Sequence, residues 1–200
     1  MNKKGFFIIF NKWYFIIVGI LLLLFLAYSS LNNSGYIKED STAYTIGKTL
    51  GLQSPDSVLI EQKIFESVNQ ERINHGLNAL VWDNQLALIA REHSEDMYKR
   101  DFFDHNNPDG DGPTERAENN GIRITNGNWI GIAENIGQTP IGDVIGCGYT
   151  HSEEEITNCA MDGWMNSPGH RENILNSNYD VIGIGTYCTT SACWNTQDFR

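Results

Sequence analysis

The sequence is short of positive charge. It carries 14 Lys and Arg against 25 Asp and Glu, a formal charge of −11. Residues 1–30 hold Lys3, Lys4 and Lys12 and no acid, so residues 31–200 hold 11 bases against 25 acids, a net −14. A body of that sign repels phosphate backbones, which excludes nucleic acid as a partner. It is also repelled by anionic lipid headgroups. The sequence has no internal repeat and only four cysteines. Only Cys188 and Cys193, with four residues between them, reach the spacing a structural zinc cluster ordinarily uses, and Cys147 and Cys159 do not supply a second such pair. Disorder is excluded by a hydrophobic content of 40% and five tryptophans.

One long apolar run is present. Trp13 to Tyr28 is free of charge, and the lysines lie before it. Residues 1–28 therefore read as a signal anchor or a signal peptide, that is, an N-terminal transmembrane helix unless the segment is cleaved. Either form sends the C-terminal part out of the cytoplasm. Residues 29–55 read as a flexible linker, opened by Ser29, Ser30, Asn32, Asn33 and Ser34 and punctuated by Gly47, Gly51 and Pro55. Asn32-Asn33-Ser34 matches a glycosylation acceptor. Residues 56–200 are long enough to bury about two-thirds of their unfolded surface without a partner.

Within that body, the periodicity predicts a helix from Asp56 or Ser57, with Ile60, Ile64, Phe65 and Val68 as its apolar stripe and Gly76 just past its end. A second helix follows Asp83, with Leu86, Ile89, Ala90, His93 and Met97 on one face. A third runs from Pro113-Thr114 to Gly121. Asn128–Ile132 reads as a strand. Glu153–Ser167 reads as a helix broken at Pro168 and resumed to Leu175. Val181–Tyr187 and Trp194–Phe199 read as an antiparallel pair. Helices first and strands late make this an α+β chain and not a βαβ array. Four cysteines allow three pairings. A Cys188–Cys193 bridge staples the last hairpin and leaves Cys147–Cys159 to close an acidic loop.

Three segments carry residues suited to metal or proton chemistry: His105 in Phe102–Gly110, Glu134 in Ala133–Ile136 and His170 in Trp164–Leu175. The alternating oxygen residues of Asn107–Glu118 fall at the positions of a calcium-binding loop. However, Asn107 replaces the usual first Asp, and Pro113 sits at the seventh position, so Ca²⁺ is not favoured. His93 falls on an apolar face and reads as a core histidine, and His75 as a residue at a helix end. Trp129, Trp164 and Trp194 read as core.

These segments, with Asn69-Gln70-Glu71-Arg72, Gly183-Ile184-Gly185 and Thr196-Gln197-Asp198-Phe199, resemble the CAP superfamily of secreted cysteine-rich and pathogenesis-related domains in its prokaryotic form. The likeness covers about residues 64–199. It implies an α-β-α sandwich with a central antiparallel sheet and a cleft bearing two histidines and two acids. By matching motif, His105 and His170 are the histidines and Glu134 the first acid. The second acid is expected three residues after Trp164, where this sequence has Ser167, and Glu172 does not match that position.

Two imidazoles and a carboxylate form a divalent ligand set, with Zn²⁺ the natural ion. Glu134 would alternatively serve as a base. A hydrogen-bonded polar cluster holding loops is the plainer reading of the same residues. Arg171 is expected to pair with an acid such as Glu134, and Asn135 and Asn173 to satisfy loop backbone. The resemblance supplies lipid or another small hydrophobic ligand as the precedent for function. A metal-dependent hydrolase of an envelope peptide or polymer and a cell-surface interaction module are the alternatives.

Overall fold

The computed structural model describes residues 53–122 and 131–200. The N-terminal segment, the linker to residue 52, Asn32 and Trp129 lie outside them. Among the described residues no helix is long and apolar enough to cross a membrane.

Helix α1 (Ser57–Asn74) begins where Asp56 accepts the Val58 and Leu59 amides. It ends because Gly76 takes φ +74°, letting the Leu77 and Gly76 amides return to the carbonyls of Arg72 and Ile73. Strand β1 (Val81–Trp82) leads to α2 (Asn84–Lys99), capped by Asp83. Helix α3 (Pro113–Asn119) follows a turn. Strand β2 (Ala133–Pro140) then precedes a small hairpin, β3 (Gly142–Val144) and β4 (Gly148–Thr150). Helix α4 (Glu153–Asn166) starts on a capping box between Ser152 and Glu155. It gives way at Pro168 to α5 (Pro168–Ile174), because Pro cannot continue the preceding hydrogen-bond ladder. Strands β5 (Val181–Cys188) and β6 (Ala192–Phe199) close the chain.

The sheet order is β1-β5-β6-β2. Its β2-β6 and β6-β5 pairs are antiparallel, but β1 joins β5 in parallel, which corrects the expectation of an all-antiparallel sheet. The β1 pair is only two residues long and enters from a loop, where the connection sets strand direction. The strand expected over Asn128–Ile132 is also displaced. Residues 128–130 lie outside the described set, Ile132 is not in a strand, and pairing starts at Ala133.

Helices pack on both faces. One core joins Ile60, Ile64 and Val68 of α1 to Ile156 and Trp164 of α4 and to Ile182 and Ile184 of β5. The other joins Leu86 and Ile89 of α2 to Ala117 and Ile132. On the α2 face, β5 presents Gly183 and Gly185. A Cβ at either would fall into the α2 backbone at Leu86–Ala87 or Ala90–Arg91, so these glycines permit the close approach. Both disulfides form as expected, Cys147–Cys159 and Cys188–Cys193. The first ties the β3-β4 hairpin to α4, the second the β5 and β6 ends.

Candidate functional site

The site is organised by a buried carboxylate. Glu134 sits near the start of β2 with a side chain only 1% exposed. One oxygen meets Nδ1 of His105 at 2.7 Å, and the other accepts from the Arg116 guanidinium. Arg116 projects from α3 and also donates to the carbonyls of His105, at 2.6 Å, and Asp111, at 3.1 Å. It therefore fixes the His105 loop and Glu134 together. Arg171, the expected partner, is exposed and donates instead to the Met165 carbonyl at 2.9 Å. The acid is claimed by the cation on α3, which faces β2, and not by the one on α5.

His93 forms a wall of this cluster. Its Nε2 donates to the Asp104 carbonyl at 3.0 Å and lies 3.9 Å from Glu134. It is buried as its helical position implies, but it is only half satisfied: Nε2 pins the segment carrying His105, while Nδ1 has no hydrogen-bond partner among the described residues. Burial holds its pKa down, against the pull of Glu134. Hydrogen bonding to Glu134 holds His105 up. His170 is held down by burial first and by the nearby His105 charge second. Asn135 and Asn173 satisfy backbone carbonyls, but those of α5 and β2 and not of loops. Asn135 donates to the His170 carbonyl at 3.1 Å, and Asn173 to Asn135 Oδ1 at 2.8 Å and the Glu134 carbonyl at 3.3 Å.

A second acid lies beneath this cluster, at a position the motif spacing did not indicate. Asp198 is fully buried on β6 and faces Glu134 across the β2-β6 register. Burial first, and the Glu134 charge second, push its carboxyl well above the ordinary range, with Arg116 opposing. The sequence signal was a lone acid inside a strand otherwise polar at Asn195, Thr196 and Gln197, all buried. Asp198→Asn should raise stability at neutral pH. A carboxyl with a raised folded pKa is destabilising above its unfolded value, near 3.9, and the penalty vanishes below it. Urea midpoints measured from pH 3 to 7 should therefore converge for the two proteins at the acid end.

Glu134 does not fit a three-residue metal set with His105 and His170. Both its oxygens are engaged, and a divalent cation there would face Arg116. Among the described residues no group of three His, Cys, Asp or Glu is arranged to hold an ion. The two imidazoles are the donors that remain for Zn²⁺. The Asn107–Asp111 turn is also self-satisfied. Asn107 Oδ1 accepts the Asp109 and Asp111 amides, at 3.0 and 2.9 Å, and Asp109 pairs with Arg100 at 2.6 Å. That leaves it poorly suited to Ca²⁺. Chemically, the cluster holds one imidazole by its Nδ1, half-exposed, on a buried carboxylate.

Beside it runs an open groove of about 490 Å³, lined by Ile136–Pro140 of β2, Val144–Cys147 of the hairpin, and α4 from Cys159 to Ser167, with His170 at one end. Ile145 on its lip is fully exposed.

The model of the Cysteine-rich secretory protein family matches residues 65–198. The chain is 34% identical over 145 residues to the uncharacterized protein YkwD of Bacillus subtilis, covering 72% of this chain and 49% of that protein. It is 30% identical over 125 residues to the uncharacterized membrane protein YlbC of the same organism, covering 62% and 31%. It thus spans half or less of the length of these curated relatives. Among solved structures, an extracellular SCP-domain protein of Bacillus anthracis superposes with a TM-score of 0.57 at 30% identity, covering 72% of this chain and 40% of that one. An outer surface protein of Borrelia burgdorferi shares the fold, with a TM-score of 0.56 at 19% identity over 74% and 96%. The chain belongs to the CAP, or cysteine-rich secretory protein, family.

Proposed function

We propose that this chain is an extracytoplasmic, membrane-tethered binding module whose groove beside His170 receives a small hydrophobic ligand, with lipid as the precedent. The observation that carries this reading is the groove itself. It has a size ordinary for small-molecule sites, and its walls are mostly apolar. Export is supported by the two disulfides, which persist in oxidising compartments, and by the extracellular relative from Bacillus anthracis. Tethering rests on the apolar Trp13–Tyr28 run and on the relative named as a membrane protein. Of the two imidazoles, His170 lines the groove.

Ile145→Asp tests the reading. Burying an isoleucine contributes about 1.5–3 kcal/mol, so an apolar fluorophore should bind the variant at least about tenfold more weakly. Ile145 is fully exposed, so the melting temperature should not change. Equal fluorophore affinity for both proteins would remove the groove from consideration.

The hydrolase reading keeps one supporting observation. An imidazole oriented by a carboxylate is the arrangement of a general base. Turnover of an envelope peptide that is lost in His105→Ala would favour it.

A further inference from the structure

One wall of the mostly apolar groove is β2, whose outward backbone groups hydrocarbon cannot satisfy. β2 is an edge strand, and in an antiparallel pair alternate residues turn both backbone groups toward or away from the partner. Three observations fix which residues of β2 face outward. The Ile141 amide, at an odd position, reaches the Ser191 carbonyl on the β6 side at 2.8 Å. Pro140, at an even position, has no amide to give. The outward carbonyls of Glu134, Ile136 and Pro140 are each taken by a side chain. Asn173 reaches the first at 3.3 Å, Trp164 Nε1 the second at 3.0 Å and Thr150 the third at 2.6 Å. These contacts blunt the edge against indiscriminate pairing.

One outward rung is left. Gln138, opposite Trp194, is exposed, and no described residue takes its amide or carbonyl. This rung lies within the groove wall. The open pair matches the amide and carbonyl of an extended peptide residue. Charge narrows the partner further. Among the described residues Asp162 is the sole acid lining the groove, and the chain as a whole is strongly anionic. We propose that the groove binds an extended peptide segment by strand addition at Gln138, with apolar residues against its walls and a Lys or Arg toward Asp162. This rests on the groove being the binding site and gives it a second class of occupant beside the small hydrophobic ligand.

The test uses the full chain and three probes: acetyl-Val-Lys-Val-Lys-Val-amide, its Glu-for-Lys counterpart, and palmitate. The Lys peptide should slow exchange of the Gln138 amide tenfold or more and bind more tightly than the Glu peptide. Asp162→Asn should narrow that difference. Gln138→Pro removes only an outward amide, a change edge strands tolerate. It should abolish peptide binding while leaving the melting temperature intact. If Gln138→Pro does not fold, exchange at Gln138 in the unaltered protein decides the matter. Palmitate in the groove with no peptide protection of Gln138 would overturn the inference and leave the groove reading standing. Binding of neither palmitate, peptide nor fluorophore would overturn both.

Discussion

Replacing Glu134 with Leu should cost about 3–5 kcal/mol in urea unfolding, because it strands a buried guanidinium. The Arg116 side chain is 9% exposed, and Glu134 is its carboxylate partner. The same change removes the acceptor for His105. Arg116→Met should be damaging for the reciprocal reason, since it leaves Glu134 beside Asp198 with no cation. The double variant, Glu134→Leu with Arg116→Met, should be more stable than either single prediction sums to, because removing both charges removes the desolvation problem with them. It should not return fully to the parent. Arg116 also holds the His105 and Asp111 carbonyls, and those would lose their donor. A loss below 1 kcal/mol for Glu134→Leu would mean that the cluster is hydrated and not the buried network described above.

Arg72→Met should be as damaging, for a different reason. Arg72 lies near the end of α1 and is almost fully buried. Among the described residues it makes no salt bridge and instead donates to four backbone carbonyls: Asn78 at 2.8 Å, Ile174 at 2.9 Å, Asn176 at 2.8 Å and Tyr179 at 3.2 Å. These belong to the loop after α1, to the end of α5 and to the turn between α5 and β5, so one side chain joins segments about a hundred residues apart. Burial lowers its pKa, with only the Asp180 charge in support. Met fills much of the volume but donates nothing, and each stranded carbonyl costs about 1–3 kcal/mol. Allowing for carbonyls that turn to water, a loss of about 4 kcal/mol or more is expected, read as a lower urea midpoint. The α5 segment carrying His170 should also lose amide protection before the rest of the domain.

The helices were legible because their signals are local. Asp56 and Asp83 act as caps through their own side chains, Gly76 and Gly121 stop helices through positive φ, and Ile60, Ile64 and Val68 recur at helical spacing. His105 and Glu134 were legible through their motifs. Arg116 and Asp198 were not. Arg116 sits in a short helix beside Glu115 and Glu118 and reads as a surface charge until the fold turns α3 against β2. Asp198 carries no spacing cue, because its role depends on which strand lies beside β6. The parallel β1 pair was hidden for the same reason: two residues hold no pattern, and their direction follows from the connection. The open rung at Gln138 became visible only once the register and the capped carbonyls were known.

The arrangement of the site rests on His105 being held by Glu134 while His170 pairs with no carboxylate among the described residues. Histidine resonances followed by NMR across pH 4–9, assigned with His105→Gln and His170→Gln, test this directly. His105 should titrate above the ordinary value of about 6.5 and His170 below it. The reverse order, or two ordinary titrations, would contradict it.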